Sequence, residues 1–187
     1  MNIGLLGVLL VLIFALAAIY NALIKKRNYV DEAFSVMNGI LKKRHDLIPN
    51  LIETVKASMT HEGDLLVKVS ELSSNAMNPN LTFNEKVVAE NQLGQAFGSI
   101  MIAIEKYPDL KANMDFMQIQ NTISDVEFET SGARKVYNSK VVDFNNAVDM
   151  FPTNLMAKLM GLARRLFFEI QDTERENLEV KTLFGNK

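Results

Sequence analysis

Phe116–Phe151 reads FMQIQNTISDVEFETSGARKVYNSKVVDFNNAVDMF. Its apolar members stand at Phe116, Ile119, Ile123, Val126, Ala133, Tyr137, Val141, Phe144, Val148 and Phe151, in steps of three and four. With the polar Thr130 filling the one gap, the spacing is close to a 3.5-residue repeat held over about five heptads. A strand would need alternation every two residues. The stretch therefore predicts one long helix with a single buried seam, ended at Phe151-Pro152, where proline withdraws a backbone donor. A helix of that length hides its seam only against other long helices, so the fold class is all-α, an antiparallel four-helix-bundle-like domain.

Working outward, Tyr107-Pro108-Asp109 interrupts the chain before this helix. A helix over Glu85–Lys106 precedes the interruption, capped by Thr82 or Asn84, with an inner seam of Leu93, Phe97, Ile100 (or Met101) and Ile104. Asn78-Pro79-Asn80 is turn chemistry. Asp46-Leu47-Ile48-Pro49 predicts a break or restart, with Asp46 as N-cap and Pro49 in the first turn of a helix running to Ala76. Between Asn28 and Met59 the apolar residues Val30, Phe34, Met37, Leu41, Ile48, Leu51/Ile52, Val55 and Met59 keep the helical seam spacing.

At the N-terminus, Ile3–Ile24 contains no charge. About 20 apolar residues cross the ~30 Å hydrocarbon core of a bilayer, so this stretch is long enough to span. Tyr20 and Asn21 suit the interface. No proline separates Ile24 from Arg44, so the span is expected to run on into the first bundle helix. Lys25-Lys26-Arg27 and Lys42-Lys43-Arg44 follow the span and no basic residue precedes it, which places the N-terminus outside and the domain in the cytoplasm. The competing reading, a cleaved signal, has Ala15-Leu16-Ala17 in its favour but lacks a positive n-region. Gly4 and Gly7 offer weak small-residue contacts between spans. The expected organisation is a transmembrane helix over 1–25, a helical bundle over 26–170 and a charged, flexible tail over 171–187, with a weak strand signal at Leu178–Phe184.

Asn154–Ile170 is apolar around most of a helix, with Lys158, Gly161, Arg165 and Glu169 as a narrow polar stripe. The favoured reading is a fourth bundle helix. The alternative is a helix lying on a membrane through Leu155, Leu159, Leu162, Leu166 and Phe167.

The charge balance of −2 leaves no nucleic-acid footprint, and the absence of cysteine removes thiol catalysis, disulfides and thiolate metal sites. His45 and His61 are the two histidines, and neither sits in a Glu-x-x-His arrangement of the di-iron bundles. His61-Glu62 reads as a solvated surface. Gly94 and Gly98 precede no Gly-Lys-Ser/Thr and read as places where a neighbouring helix approaches. Serines have no evident histidine and acid partner, and Asp125, Glu127 and Glu129 alternate with Arg134 and Lys135 as solvated faces do. No catalytic, cofactor or metal-ligating set is expected.

Several blocks together resemble the LemA family of bacterial membrane proteins. They are Tyr20-Asn21, Arg27-Asn28-x-Val30, Leu41-Lys42-x-Arg44-x-Asp46-Leu47-Ile48-Pro49-Asn50-Leu51, Val55-Lys56, Tyr107-Pro108-Asp109-Leu110-Lys111, Ala133-Arg134-x-x-Tyr137-Asn138, Asn145 and Phe151-Pro152-x-Asn154. Thr130 departs from the family, which is expected to carry an apolar residue there. The resemblance implies a single-pass protein of the bacterial plasma membrane with a helical domain and no established enzymatic activity. Some magnetosome-forming proteins are similar too, which hints at membrane organisation.

The motif residues, Asn28 among them, have structural readings: Asp46, Pro49 and Asn50 a helix break, Tyr107, Pro108 and Asp109 a turn, Arg27 an interface anchor, and Arg134, Tyr137 and Asn138 a polar network. They have a functional reading as an interaction surface. The leading expectation is a self-associating scaffold that organises the bilayer or unidentified membrane or cytoplasmic proteins. Membrane-surface sensing through 155–170 is the alternative, and an enzyme with an unrecognised site a remote one.

Overall fold

The computed structural model describes residues 3–169, and every regular element among them is helical. In order these are α1 (Ile3–Val55), a single 3-10 turn at Thr60–Glu62, α2 (Gly63–Ala76), α3 (Phe83–Ile104), α4 (Pro108–Lys111), α5 (Met114–Asp149) and α6 (Thr153–Leu159). The expected tail and the strand signal at 178–184 lie outside the described residues.

The seam of 116–151 is one helix, α5, as its periodicity predicts. Asn113 starts it: its side-chain oxygen accepts from the N–H groups of Asp115 and Phe116, at 2.8 and 3.2 Å. Phe116, Ile123, Val126, Tyr137, Val141 and Phe144 are buried, whereas Phe151, expected in the seam, stands 78% exposed beyond the helix end. Thr130 is fully buried, and its hydroxyl donates to the Val126 carbonyl at 2.7 Å. That internal bond is how an apolar seam tolerates a hydroxyl.

Two boundaries differ from expectation. Pro49 does not restart the chain; it lies inside α1, which runs unbroken to Val55. Proline there leaves the His45 carbonyl without its intrahelical donor and costs about 3 kcal/mol in a helix interior. Ile48, Leu51 and Val55, all buried around it, hold the helix together through that cost. Asp46 is exposed and caps nothing. The break falls instead at 56–62, and Gly63 opens α2.

The second difference is at 154–170. The expected seventeen-residue helix stops at Leu159, and no fourth bundle helix forms from it. Gly161 adopts φ +65°, a left-handed conformation that glycine takes without strain. The Leu162 N–H bonds the Ala157 carbonyl and the Gly161 N–H the Lys158 carbonyl, the paired closure of a Schellman motif. Residues 162–169 continue without regular structure.

The chain divides into two compact units. The first comprises residues 3–37 and 133–167, and holds a small apolar cluster around Leu23, Ala147 and Ala157. The second comprises 38–132 with 168–169, and holds the main core, from Ile48 through Leu93, Phe97 and Ile100 to Phe116 and Ile123. Thr82 caps α3 with a reciprocal box: its hydroxyl accepts from the Glu85 N–H, and the Glu85 carboxylate accepts from the Thr82 N–H at 2.8 Å. Gly98 has open space where a side chain would begin, so no helix closes on it as expected.

Candidate functional site

In the first unit, α1 carries a stretch long and apolar enough to cross a membrane. Gly4 to Ala18 is exposed throughout. Below it, Ile19 and Leu23 are covered, because Ala147 and Val148 of α5, Met156 and Ala157 of α6 and Met160 just past it pack on them. Around that contact Met150, Phe151, Leu155 and Leu159 stand outward, 63, 78, 60 and 83% exposed. An apolar corner is thus attached to the last two turns of the apolar stretch. Of the five residues expected to share one helix, only Leu155 and Leu159 lie on α6. Leu162 turns in to the cluster, and Leu166 and Phe167 lie in the irregular segment, each about two-fifths exposed.

Polar side chains of α5 strap that irregular segment down. The Tyr137 hydroxyl donates to the Leu166 carbonyl at 2.8 Å. The Asn145 amide donates to the Arg165 carbonyl and accepts from the Arg165 N–H, both at 2.9 Å. Two backbone groups lacking secondary structure are satisfied by one amide. Tyr137 also stacks obliquely on Phe34, with ring centroids 6.1 Å apart, and burial pushes its phenol well above the usual tyrosine range. Arg165 pairs with Asp31 at 3.2 Å and Arg164 with Asp149 at 3.3 Å. Arg134 is buried, Asn138 and Arg27 half-buried, and Asn28 exposed.

The second unit holds a polar layer that the sequence reading did not find. Arg44 donates to Glu90 Oε2 at 2.7 Å, and His45 Nε2 meets Glu90 Oε1 at 2.8 Å. His45 Nδ1 lies 2.8 Å from the Ser73 hydroxyl. Glu127, 25% exposed, reaches Arg44 at 3.7 Å, and Lys43 pairs with Glu129 at 2.7 Å nearer the surface. Four helices therefore contribute to the layer: α1 through Lys43, Arg44 and His45, α2 through Ser73, α3 through Glu90, and α5 through Glu127 and Glu129. Glu127 and Glu129 are not simply solvated faces, and Ser73 does have a histidine and an acid.

That order, serine to histidine to carboxylate, is the connectivity of a nucleophilic triad. The surroundings argue for a structural use. Ser73 sits within α2, where the neighbouring N–H groups are spent in the helix ladder, so no backbone donors converge on its hydroxyl as an oxyanion hole. Arg44 also holds the carboxylate from its other oxygen. Since a carboxylate can only accept, Nε2 of His45 carries a proton toward Glu90 and Nδ1 is left to Ser73. The side chains of Arg44, His45, Ser73 and Glu90 bond to one another, while Arg44 Nε and Glu127 Oε1 are buried without a hydrogen-bond partner. Among the described residues no group of three or more His, Asp or Glu converges in a way that would hold a metal ion.

The remaining motif residues are scattered. Asp46, Pro49 and Asn50 are exposed along α1. Tyr107 is half-buried against the main core, while Pro108 and Asp109 are exposed at the start of α4.

These features define an all-helical protein with an apolar N-terminal helix and a polar layer built into its bundle core. The LemA family model matches residues 33–182, and the chain belongs to the LemA family. It is similar to the Protein LemA of Metamycoplasma hominis, 24% identical over 163 residues covering 87% of this chain and 74% of that protein. It is also similar to the magnetosome protein MamQ of Magnetospirillum gryphiswaldense, 24% identical over 80 residues, 43% of this chain. The chain spans 29% of that relative, and 30% of the magnetosome protein MamQ 2 of Paramagnetospirillum magneticum, which it matches at the same identity.

Proposed function

We propose that this LemA-family chain is a non-enzymatic, membrane-anchored scaffold whose α5–α6 corner lies in the interface of the leaflet beside its anchor. The observation that carries the reading is the attachment of α6 to Ile19 and Leu23. The freely exposed part of the apolar stretch, Gly4–Ala18, rises about 22 Å at ~1.5 Å per residue, short of a ~30 Å hydrocarbon core. Extending the span through Ile24 supplies the missing length. It also carries α6 to the depth where Phe151, Leu155 and Leu159 meet lipid and Lys158 meets headgroups. The alternative reading, membrane contact by 155–170, thereby joins the scaffold reading in reduced form, through α6 and the turn before it.

The basic run Lys25-Lys26-Arg27 supports the N-terminus outside and the helical domain in the cytoplasm. The likeness to proteins named as magnetosome proteins accords with work at a membrane. The scaffold would organise lipid, partner proteins or further copies of itself. Alkaline carbonate extraction and protease protection on inner-membrane vesicles test the anchor: the full chain stays with the membrane, and protease added on the cytoplasmic side digests the domain. Extraction into the supernatant contradicts the reading. Mass measurement in native-lipid nanodiscs tests self-association, and a single chain at every concentration contradicts it.

A further inference from the structure

We propose that the cleft between α1 and α5 just past the apolar stretch binds the phosphodiester of an anionic phospholipid headgroup, an inference that rests on the anchoring proposed above. Its lining is Ala22, Lys25, Lys26, Tyr29, Lys140 and Asp143, around a volume of about 290 Å³. That is near the lower end of the ~300–1,000 Å³ usual for small-molecule sites. Ala22, Lys25, Lys26 and Tyr29 fall at i, i+3, i+4 and i+7, one face of α1. Lys140 and Asp143, three apart, share a face of α5.

Tyr29 organises the cations. Lys25 Nζ and Lys140 Nζ each lie 5.7 Å from the centroid of its ring, so a lysine from either helix is drawn to one aromatic platform. With Lys26 the cleft gathers three ammonium groups against one carboxylate. Like charges brought this close invite an anion, and the phosphate layer of a leaflet lies at this depth when Ile24 ends the span. Ala22 keeps the membrane-side end of the cleft open, where the glycerol backbone of a lipid would leave it. Asp143 repels a bare phosphate. It accepts from a hydroxyl, which favours a headgroup carrying hydroxyl donors beyond its phosphate, such as a glycerol headgroup.

The test is native mass spectrometry of the full-length protein released from nanodiscs of phosphatidylcholine with a minor fraction of phosphatidylglycerol. The wild type retains phosphatidylglycerol in preference to phosphatidylcholine. Lys25→Gln/Lys140→Gln lowers that retention about 25-fold, at about fivefold per lysine near the surface, while Lys42→Gln/Lys106→Gln, which alters lysines outside the cleft, leaves it unchanged. Asp143→Asn reduces the preference for phosphatidylglycerol over phosphatidic acid, which has no hydroxyl beyond its phosphate.

Soluble glycerol phosphate at millimolar concentration does not displace the lipid. Displacement would assign the cleft to a free phosphate ester and overturn the lipid proposal. Equal retention by the wild type and the Lys25→Gln/Lys140→Gln variant also overturns it. Carbonate extraction on the same preparations keeps the two readings apart: a wild type that leaves the membrane refutes the anchoring, whereas one that stays but shows no lipid preference refutes the cleft alone.

Discussion

Replacing Glu90 by glutamine keeps its volume and leaves an oxygen for His45 but removes the charge that faces Arg44. In the wild type that charge pair is buried, the two side chains 3 and 1% exposed and 2.7 Å apart. Stripping one partner from a buried pair costs about 3–5 kcal/mol, because the remaining ion is left in a low-dielectric interior. Glu127, 3.7 Å from Arg44 and partly solvated, takes up some of the stranded charge and brings the expectation to the lower end, about 3 kcal/mol. For a chain of this size roughly 2–4 °C is lost per kcal/mol, so Glu90→Gln is expected to melt on the order of 10 °C lower by circular dichroism at 222 nm. Arg44→Met/Glu90→Gln removes both charges and returns to within about 1 kcal/mol of the wild type, about 2 kcal/mol better than Glu90→Gln alone. A single variant melting within about 2 °C of the wild type, or a double variant as unstable as the two singles summed, refutes the claim that the layer acts through charge pairing.

Three further outcomes follow from the same geometry. Pro49→Ala restores a donor to the His45 carbonyl at an exposed site, so the melting temperature rises by the equivalent of about 1–3 kcal/mol; a fall would mean that the proline shapes α1 to advantage. Thr82→Ala removes the cap of α3 and costs about 1 kcal/mol in urea unfolding at neutral pH. The Thr82 hydroxyl and N–H bonds hold the Glu85 carboxyl below its ordinary value of 4.5, so the cap's contribution is present above that pH and fades as Glu85 protonates below it. The gap between wild type and variant therefore narrows in acid, and a gap independent of pH contradicts the assignment. Tyr137→Phe loses the bond to the Leu166 carbonyl, about 1 kcal/mol. Because burial raises the Tyr137 phenol, folding holds its proton and the wild type loses stability above pH 10. The phenylalanine variant lacks that part of the alkaline loss, and identical alkaline profiles count against it.

The seams were legible because each reports a single helix with its own periodicity. Leu93, Phe97, Ile100 and Ile104 are all buried, as are Val30, Met37, Leu41, Ile48, Leu51, Val55 and Met59. The polar layer was harder to read, although each rung occupies a seam register: Arg44 and His45 between Leu41 and Ile48, Glu90 between Val87 and Leu93, Ser73 between Val69 and Ala76. One polar residue at an inward position looks like a local exception. Only pairing across 28 to 46 residues of sequence reveals a layer. Thr130 was noticed as the odd member of its seam, and its answer was local, a bond within α5.

Pro49 misled because a proline's helix-breaking cost is a local term, and tertiary burial on both sides outweighed it. The end of α6 had a visible cue in Gly161, which sits one residue past the helix cap. Read for hydrophobicity, the glycine merely joined a polar stripe; read for backbone conformation, it stops the helix. Tyr137 and Asn145 belonged to recognisable motifs, but their partners are carbonyl and amide groups of an irregular segment, which leave no trace in side-chain pattern.

The chain's lack of cysteine makes its central claim directly measurable, since a single engineered thiol has no competitor. Leu159→Cys in α6 and Val67→Cys in α2, exposed 83 and 57% in the wild type, each carry a nitroxide in the full-length protein reconstituted in bilayers. Power-saturation electron paramagnetic resonance then compares collisions with oxygen, which concentrates in lipid, and with a water-soluble nickel chelate. The account predicts that the label at 159 is oxygen-rich and shielded from nickel, at interfacial depth, while that at 67 is open to nickel. Equal access of nickel to both positions contradicts the placement of the α5–α6 corner in the membrane.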